Sequence, residues 1–473
     1  MVTRNYAEPR RGTQGQNEGY RDTVRRSTIT PETPYGECSE RLTAFGGLLA
    51  LVKFLDLIGF EKAFESRYVR PNRPPKLSDY RMVLGMLMLL FIGFQRLGHF
   101  AYVRTDAMVC GVLRVAVLPA VSTFWRYLRS LGIVQSASLL RVGAVLRTKV
   151  WALCEYTPRR VTVNIDTTVA TVYGAIEGAR KGHNTKHRGK KGLRPVLCFL
   201  DDTREYLCGT QRRGETIRTE EVAWQIRHFR EQLPPCVREV HVRGDGEFIG
   251  WNSVKTCLDE GFFFTFGNKR CDPPFPDEGW YRHGAHEYNE CVYKPLGWDQ
   301  SCRFVVMRIR EDQRGDRQLK LLESENYLYR VFVTNEKRRP HRVIADYDQR
   351  ADAENLIGEA QREGVLAIPS KRFQAHHAFF QIVMLAYNLW RWMKLLAGHA
   401  QHQEQQGREL PAPQRIAMSD HTIRIARLKM LFVAAKIRFH GNRNEVRYSI
   451  HEQRSAGLID FLAYLDRRRK EAA

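Results

Sequence analysis

Two features are missing from this sequence: cysteine pairs at CxxC spacing and apolar stretches long enough to cross a membrane. Its ten cysteines occur singly at irregular separations, which argues against a zinc ribbon and favours reduced thiols in the cytoplasm. The longest apolar run is MVLGMLMLLFIGF at residues 82–94. It falls short of the roughly 20 residues of a membrane span, so it predicts a buried helix. We therefore expect a cytoplasmic protein.

Acidic residues are scarce relative to basic ones. The 473-residue chain has 52 Asp and Glu against 75 Lys and Arg, a net charge of +23 and a pI near 9.7. Such a surface attracts polyanions, and nucleic acid is the leading expectation. An anionic membrane surface is the alternative, but the basic residues are spread along the chain rather than gathered on one amphipathic helix.

The chain is long enough, with 43% hydrophobic residues, to bury more than one core. Changes in composition and periodicity predict seven segments. In order these are a disordered basic tail at 1–38, a helical DNA-binding region at 39–155, the first part of an α/β core at 156–268, a β-rich insertion at 269–337, the second part of the core at 338–397, a linker at 398–414 and a small C-terminal α/β module at 415–473.

One helix of the N-terminal region has a basic and aromatic face. The segment LPAVSTFWRYLRSLG places Ser122 or Thr123 at an N-cap, ahead of a helix with Arg126 and Arg129. This pattern is typical of a helix-turn-helix recognition element, in which both arginines would contact DNA. An ordinary packed helix explains the same residues equally well.

The core predicts three successive strands followed by helix, strand, helix and strand. These elements lie at residues 161–174, 193–201, 204–214, 219–233, 238–246, 250–261 and 262–268. The order is the ribonuclease-H-like arrangement, with helices on both faces of a mixed sheet. The predicted fold class is therefore α/β, a ribonuclease-H-like core interrupted by the β-rich insertion.

Three acidic residues hold positions in this core where secondary structure would bring them together. Asp166 and Asp245 each end a segment of period-2 alternation, so each is expected on the polar face of a half-buried strand. Glu354 lies in a segment that predicts a helix, where Tyr347, Arg350 and Glu354 fall along one stripe at i, i+3 and i+7.

Converging carboxylates suit a metal-dependent phosphodiesterase. Two divalent metal ions about 3.5–4 Å apart are a common means of stabilising the attacking and leaving oxygens of phosphoryl transfer. Mg²⁺ prefers hard oxygen ligands and keeps several waters, so a few carboxylates are sufficient. Each acid alone is better explained as a turn, cap or solvated residue. Only the combination of Asp166, Asp245 and Glu354 indicates an active site.

The same residues resemble the DDE transposases of bacterial insertion sequences. The resemblance rests on residues 164–199, on RGDGEF around Asp245, and on Tyr347, Arg350 and Glu354 in Y-x2-R-x3-E spacing. It is closest to the insertion-sequence-1380 family, within the group that carries a Y-R-E-K signature. Where that signature ends in Lys, this chain has Gln361, with Arg362 beside it as the candidate for the missing charge.

The resemblance implies a function and a set of roles. Asp166, Asp245 and Glu354 would be the catalytic and metal-binding triad, with two Mg²⁺ ions per site or Mn²⁺ in their place. Tyr347 and Arg350 would contact phosphates of double-stranded DNA, both transposon ends and target. The activity implied is cut-and-paste transposition through hairpin intermediates, by a homodimer in a synaptic complex associated with the bacterial nucleoid.

Two further groups of residues are candidates for DNA contact. The basic run at 179–194 leaves the Asp166 strand directly and predicts phosphate contacts, although a solvated hairpin is the alternative. Its members singled out here are Lys186, Arg188, Lys190, Lys191 and Arg194. In the β-rich insertion Trp298, and secondarily Trp280, could stack on an unpaired base. Trp298 could equally anchor the core of that insertion.

Two rival functions remain open from the sequence. A catalytically silent, transposase-derived DNA-binding protein would keep the basic surface, but the intact acid triad argues against it. A ribonuclease-H-like nuclease that only hydrolyses would leave the helical N-terminal region and the β-rich insertion without a role.

Overall fold

The structure is a computed structural model that describes residues 29–72, 75–182, 184, 187–310, 327–405, 421–440 and 443–472. Two compact units divide the chain, Met1–Glu40 and Arg41–Ala473. Within the first unit, the described residues 29–40 form turns and no helix or strand. The rest of the predicted basic tail lies outside the described residues. All ten cysteines are free.

The N-terminal part of the second unit is helical, as predicted. A short strand, β1 (Leu42–Thr43), precedes α1 (Leu48–Leu57), α2 (Phe60–Arg67), α3 (Asp79–Ile92), α4 (Ala107–Leu113), α5 (Val121–Ser130) and α6 (Ile133–Leu153). Ser78 caps α3 by accepting from the Arg81 backbone N–H, and Gly93 ends it with a φ of 105°. Nearly every α3 side chain is buried, which confirms the predicted buried helix.

No single helix among the described residues has the length and apolarity of a membrane span. α3 passes that test only together with the 3-10 segment Leu97–Val103, from which it is bent by 83°.

The described part of the middle region has twelve strands, and nine of them form one mixed sheet. In chain order the strands of the middle region are β2 (Arg160–Thr167), β3 (Ala170–Thr171), β4 (Arg180–Lys181), β5 (Lys191–Leu193), β6 (Val196–Leu200), β7 (Tyr206–Thr210), β8 (Glu239–Gly244), β9 (Phe263–Gly267), β10 (Tyr281–His283), β11 (His286–Tyr293), β12 (Cys302–Arg310) and β13 (Tyr327–Thr334). The large sheet has the order β10-β11-β12-β13-β9-β8-β2-β6-β7, and β3, β5 and β4 form a separate small sheet. The predicted insertion therefore extends the core sheet, because β13 pairs with β9.

Helices cover both faces of the large sheet, as predicted. α7 (Thr219–Arg227), α8 (Phe229–Gln232) and α9 (Trp251–Asp259) share one core with Val161, Val163 and Ile165 of β2. α10 (Pro340–Asp348) contacts β11 and β12, α11 (Ala351–Ala360) contacts β6, and α12 (Phe373–Gln405) contacts β7. This double cover lets β2 and β8 be buried on both sides while their carboxyl ends stay at an accessible edge.

The C-terminal segment packs onto the N-terminal helices. It contains α13 (Ile423–Met430), β14 (Ala435–His440), β15 (Arg443–Tyr448) and α14 (Gln453–Glu471), and β14 pairs with β1. Lys53 of α1 forms an ion pair with Asp466 of α14. The residues predicted as a linker from 398 begin instead as helix, because α12 continues to Gln405. The remainder of that predicted linker lies outside the described residues.

Candidate active site

Asp166 and Asp245 lie at the same end of two neighbouring parallel strands. β2 and β8 pair in parallel, with Ile165 opposite Gly244. Asp166 is the next residue of β2, and Asp245 follows β8 directly. Since the carboxyl ends of parallel strands meet at one edge of a sheet, the pairing places the two carboxylates side by side, as the alternation predicts.

Asp166 lies in a partly buried position with one cationic neighbour. Its Oδ2 accepts from Arg350 Nη2 at 2.9 Å, and its Oδ1 accepts from the Thr167 backbone N–H at 2.7 Å. Burial raises its pKa from 3.8 to about 6, against the opposing effects of Arg350 and the Thr167 N–H. The negative charges of Asp245 and Glu354 contribute to the raised pKa of Asp166.

Asp245 lies in a turn that is connected to β2 through hydrogen bonds and an ion pair. Its Oδ1 accepts from the Glu247 backbone N–H at 2.9 Å. Glu247 in turn pairs with Arg194 at 2.5 Å, and Arg194 also donates to Thr167 Oγ1 at 3.2 Å. Arg194 thus links the turn after β8 to the end of β2, and it positions both aspartates relative to each other.

The single predicted helix is broken, so that Tyr347 lies on one helix, Glu354 on the next, and Arg350 in the connection between them. α10 ends at Asp348 and α11 begins at Ala351. Buried Tyr347 donates to the Gly244 carbonyl at 3.3 Å, just before Asp245. Glu354 is exposed in the first turn of α11. The two helices and their connection therefore place Arg350 beside Asp166 and Tyr347 beside the end of β8. They also place the exposed Glu354 carboxylate close enough to affect the pKa of Asp166.

The polar faces of β2 and β8 are buried, contrary to the prediction of half-buried strands. Asn164, His241 and Arg243 are at most 1% exposed. Arg243 Nε donates to Asn164 Oδ1 at 2.8 Å, its Nη2 pairs with Asp201 at 2.7 Å, and its Nη1 donates to the Asp346 carbonyl of α10. Burial beneath α10 explains the difference, since α10 covers this face and its carbonyl provides a partner.

Sequence reasoning missed this buried polar layer of Asn164, His241 and Arg243. Burial lowers the pKa of His241 well below its ordinary value, so the ring is neutral at physiological pH. Its Nε2 lies 3.0 Å from Thr265 Oγ1 on β9. The only signal in the sequence was the polar residues at alternate positions of both strands, which equally fits an exposed face.

The basic run divides into exposed and buried members. Arg188, Lys190 and Lys191 are exposed around β5, where a polyanion could reach them. Arg194 is 6% exposed and paired with Glu247, so the prediction that it contacts phosphate from the surface is wrong for this conformation. Lys186 lies outside the described residues.

At the position where the Y-R-E-K signature ends in Lys, this chain has Gln361, which makes an uncharged hydrogen bond. Gln361 Nε2 donates to Thr168 Oγ1 at 2.6 Å, two residues beyond Asp166. Arg362 is exposed, and its backbone carbonyl accepts from Gln95. Gln361 therefore connects the end of α11 to the segment after β2 without a charge, and the Arg362 side chain is exposed to solvent.

The aromatic platform predicted at Trp298 is wrong. Trp298 is 8% exposed and packs against Trp251 and Phe304, at centroid distances of 5.5 and 6.2 Å. It is a core residue, the alternative that the sequence left open. Trp280 is half-buried, with the Arg308 guanidinium 3.8 Å from its ring centroid. Burial thus removes Trp298 from stacking, while Arg308 lies over one face of the Trp280 ring.

α5 has a buried and an exposed face. Phe124, Tyr127 and Leu128 are buried, whereas Arg126 and Arg129 are exposed. Seven residues, 114–120, separate α4 from α5, longer than the 3–4-residue turn typical of a helix-turn-helix. The helix is thus an ordinary packed helix that also presents two arginines to solvent.

The acids suit a divalent metal ion in donor chemistry. Three carboxylates provide the hard oxygen ligands of Mg²⁺, and a bound cation would relieve the like-charge effect on Asp166. Arg350 partly fulfils that role by pairing with Asp166. Across the described ranges, no group of three or more His, Cys, Asp or Glu is arranged to hold an ion. The donors fit, and closing them around a metal requires side-chain movement.

Comparison with known proteins gives the chain a family. The family model for transposase DDE domain group 1 matches residues 37–470. No curated protein matches the chain significantly. Among solved structures, it is similar to a cryo-EM structure of a piggyBac transposase synaptic complex with hairpin DNA, at 9% identity and a TM-score of 0.42, over 83% of this chain and 81% of that one. Because the family model spans nearly the whole sequence, the chain belongs to the transposase DDE domain group 1 family.

Proposed function

We propose that this DDE transposase works by cut-and-paste transposition, with Asp166, Asp245 and Glu354 as its catalytic triad. It would bind terminal inverted repeats as a homodimer, cleave the element ends and join the 3′-OH groups to target DNA. The observation that carries the proposal is the parallel pairing of β2 with β8, with Asp166 and Asp245 at adjacent strand ends. The strand order β9-β8-β2-β6-β7 supports a ribonuclease-H-like core.

The triad residues would hold two Mg²⁺ ions, or Mn²⁺ in their place. Bound there, the ions would stabilise negative charge on the attacking and leaving oxygens. Arg350, now paired with Asp166, would turn its guanidinium to a DNA phosphate once the carboxylate has another partner. Tyr347 and Arg194 would keep the ends of β8 and β2 in place.

Phosphate contacts beyond the triad would come from exposed cations. Arg188, Lys190 and Lys191 lie at the start of β5 and in the turn before it, and Arg362 follows α11. With Arg126 and Arg129 of α5 they would neutralise backbone phosphates without reading sequence. Arg350, a member of the predicted phosphate-binding set, also donates to Asp166 directly.

The proposal also includes a hairpin route for the second strand. In the first step water attacks the phosphorus and displaces a 3′-OH. In the second step this 3′-OH attacks a phosphorus of the opposite strand, forms the hairpin bond, and displaces the 3′-OH of the flanking DNA. The triad residues serve both steps, so one active site would cut both strands. Trp298 has no part in this route because it is buried.

The test is cleavage of the protein's own flanking element DNA with Mg²⁺, with EDTA as the control, followed by mapping of product ends on native and denaturing gels. We expect Mg²⁺-dependent cuts at the element ends and a product that stays joined on denaturation. Binding without any cut would favour the silent DNA-binding protein. Cuts without hairpins or joined target products would favour a hydrolysis-only nuclease.

A further inference from the structure

A continuous groove runs along α5 beside the catalytic elements. Three adjoining cavities of about 610, 490 and 760 Å³ form it. The first two share Trp125, Ile176 and Ile368, and the last two share Arg129 and Arg372. We call these three cavities the α5 groove.

The α5 groove is cationic throughout. Six lysine and arginine side chains line it, and its described lining residues include no Asp or Glu: Lys76, Arg96, Arg126, Arg129, Lys371 and Arg372. All six are exposed, and among the described residues none forms an ion pair with an acid. Another cavity of similar size, beside α2, contains Asp56, Glu61 and Glu65 as well as basic residues. Uncompensated positive charge thus distinguishes the α5 groove, and it suits a polyanion.

Exposed aromatic and apolar side chains lie between these cations. Trp125 is 37% exposed and Tyr173 is 70% exposed. Arg129 lies over the indole of Trp125, at 4.4 Å from the ring centroid. Ile176 and Ile368 line the same cavities. A paired duplex presents phosphates and sugars to such a surface, whereas an unpaired strand also presents base faces that stack on aromatic rings.

The position of the α5 groove connects it to the active site. Thr171, which lines the first cavity, follows Asp166 by five residues, so their Cα atoms lie at most about 18 Å apart. Leu366 follows the Glu354 helix and lines the same cavity. Ile176, Leu366 and Ile368 pack together in one small core with β3 and β5. A strand that leaves the catalytic carboxylates therefore has the α5 groove within a few nucleotides.

We propose that the α5 groove binds single-stranded DNA, with Trp125 and Tyr173 stacking on unpaired bases and the six cations contacting the phosphates. The proposal deepens the proposed function and rests on it for the identity of the strand, which is DNA freed beside the cleavage site. The binding itself needs neither metal nor cleavage, so it is measured separately from the reaction.

The test is equilibrium binding in EDTA of a fluorescein-labelled 15-nucleotide oligothymidine, with a 15-base-pair duplex in parallel. Trp125→Ala should weaken oligothymidine binding at least about fivefold and duplex binding less, whereas Trp125→Phe should retain most of the affinity. Arg372→Ala should flatten the log-affinity against log-salt slope for oligothymidine by about 0.7. Trp224→Ala and Arg227→Ala on α7, which change an exposed tryptophan and arginine away from the groove, should leave both quantities unchanged.

Crosslinking locates the strand in the wild-type protein and does not depend on how any variant folds. Oligothymidine containing 5-iododeoxyuridine should crosslink to peptides that carry Trp125 or Tyr173. Crosslinks confined to other peptides, or an equal loss of duplex and oligothymidine binding in Trp125→Ala, would overturn the proposal. If Trp125→Ala weakens oligothymidine binding selectively but the wild-type protein never cleaves element ends, the α5 groove stands and the proposed function is rejected.

Discussion

Arginines near the carboxyl ends of β2 and β8 and arginines along α5 occupy opposite environments. Arg194, Arg243 and Arg350 are largely buried, and each pairs with an acid, respectively Glu247, Asp201 and Asp166. Arg126, Arg129 and Arg372 are exposed, and across the described residues they form no ion pair. The basic residues of this chain thus include arginines that pair with acids near the ends of β2 and β8, and arginines available to a polyanion. Removing the first kind should affect catalysis and folding, and removing the second should affect DNA affinity.

The largest expected effect concerns the carboxylates that the buried arginines position. Asp166→Asn, Asp245→Asn and Glu354→Gln should each lower the cleavage rate at least about a hundredfold while element-end binding persists, because each change removes a metal ligand and keeps the volume. Asp202→Asn, an exposed acid in the loop after β6, is the matched control. Near wild-type cleavage by any triad variant would remove that residue from the triad.

The next effect compares the two kinds of arginine directly. Arg243→Met should lower the free energy of unfolding by about 3 kcal/mol, since it leaves Asp201 and Asn164 without their buried partner. Arg126→Met on exposed α5 should change it by less than about 0.5 kcal/mol. Urea denaturation of both variants provides the measurement. Equal losses would show that burial does not separate the two groups.

A third prediction uses the pH dependence of Asp166. The pKa of Asp166 in the folded protein, about 6, lies above its ordinary value of 3.8. The folded protein therefore favours protonated Asp166, and this contribution to the free energy of unfolding is complete below pH 4 and lost as the pH rises to about 6. Without metal, Asp166→Asn should therefore match wild type near pH 4 and exceed its stability at pH 7.5, by at most about 3 kcal/mol. Thermal unfolding of both proteins at pH 4 and pH 7.5 measures this difference in stability. Asp259→Asn, an exposed acid on α9, should show no such difference.

The smallest effect concerns exposed charges of the basic run. Changing Arg188, Lys190 and Lys191 to Ala should flatten the log-affinity against log-salt slope for element-end DNA by about 0.9 for each phosphate that the variant no longer neutralises. Thermal stability should stay close to that of wild type. An unchanged slope would assign these residues to a solvated surface.

The sequence predicted most elements of the large sheet because its strands alternate or form short apolar runs. It also placed Asp166 and Asp245 near strand ends, and Asp166 is the penultimate residue of β2 while Asp245 directly follows β8. It separated the β-rich insertion from the core, although β13 pairs with β9. Strand pairing over this distance leaves no local pattern, so the continuous sheet was not predictable from periodicity.

Side-chain environments were less predictable than backbone positions. Trp298 and Arg194 lie among polar and turn residues in the sequence, yet packing from distant elements buries both. Arg243 occupies a nominally polar strand position and is 0% exposed because α10 covers it. Whether an arginine or tryptophan is available to DNA depends on contacts between residues far apart in the chain.

We propose that Asp166, Asp245 and Glu354 share one metal site. The most direct test of this proposal replaces Mg²⁺ with Fe²⁺, adds ascorbate and peroxide, and maps the polypeptide cuts made by locally generated radicals. We expect cuts beside all three residues. Excess Mg²⁺ should suppress these cuts, and Asp166→Asn should reduce all of them together. Cuts away from these residues, or cuts that persist in excess Mg²⁺, would contradict a shared metal site.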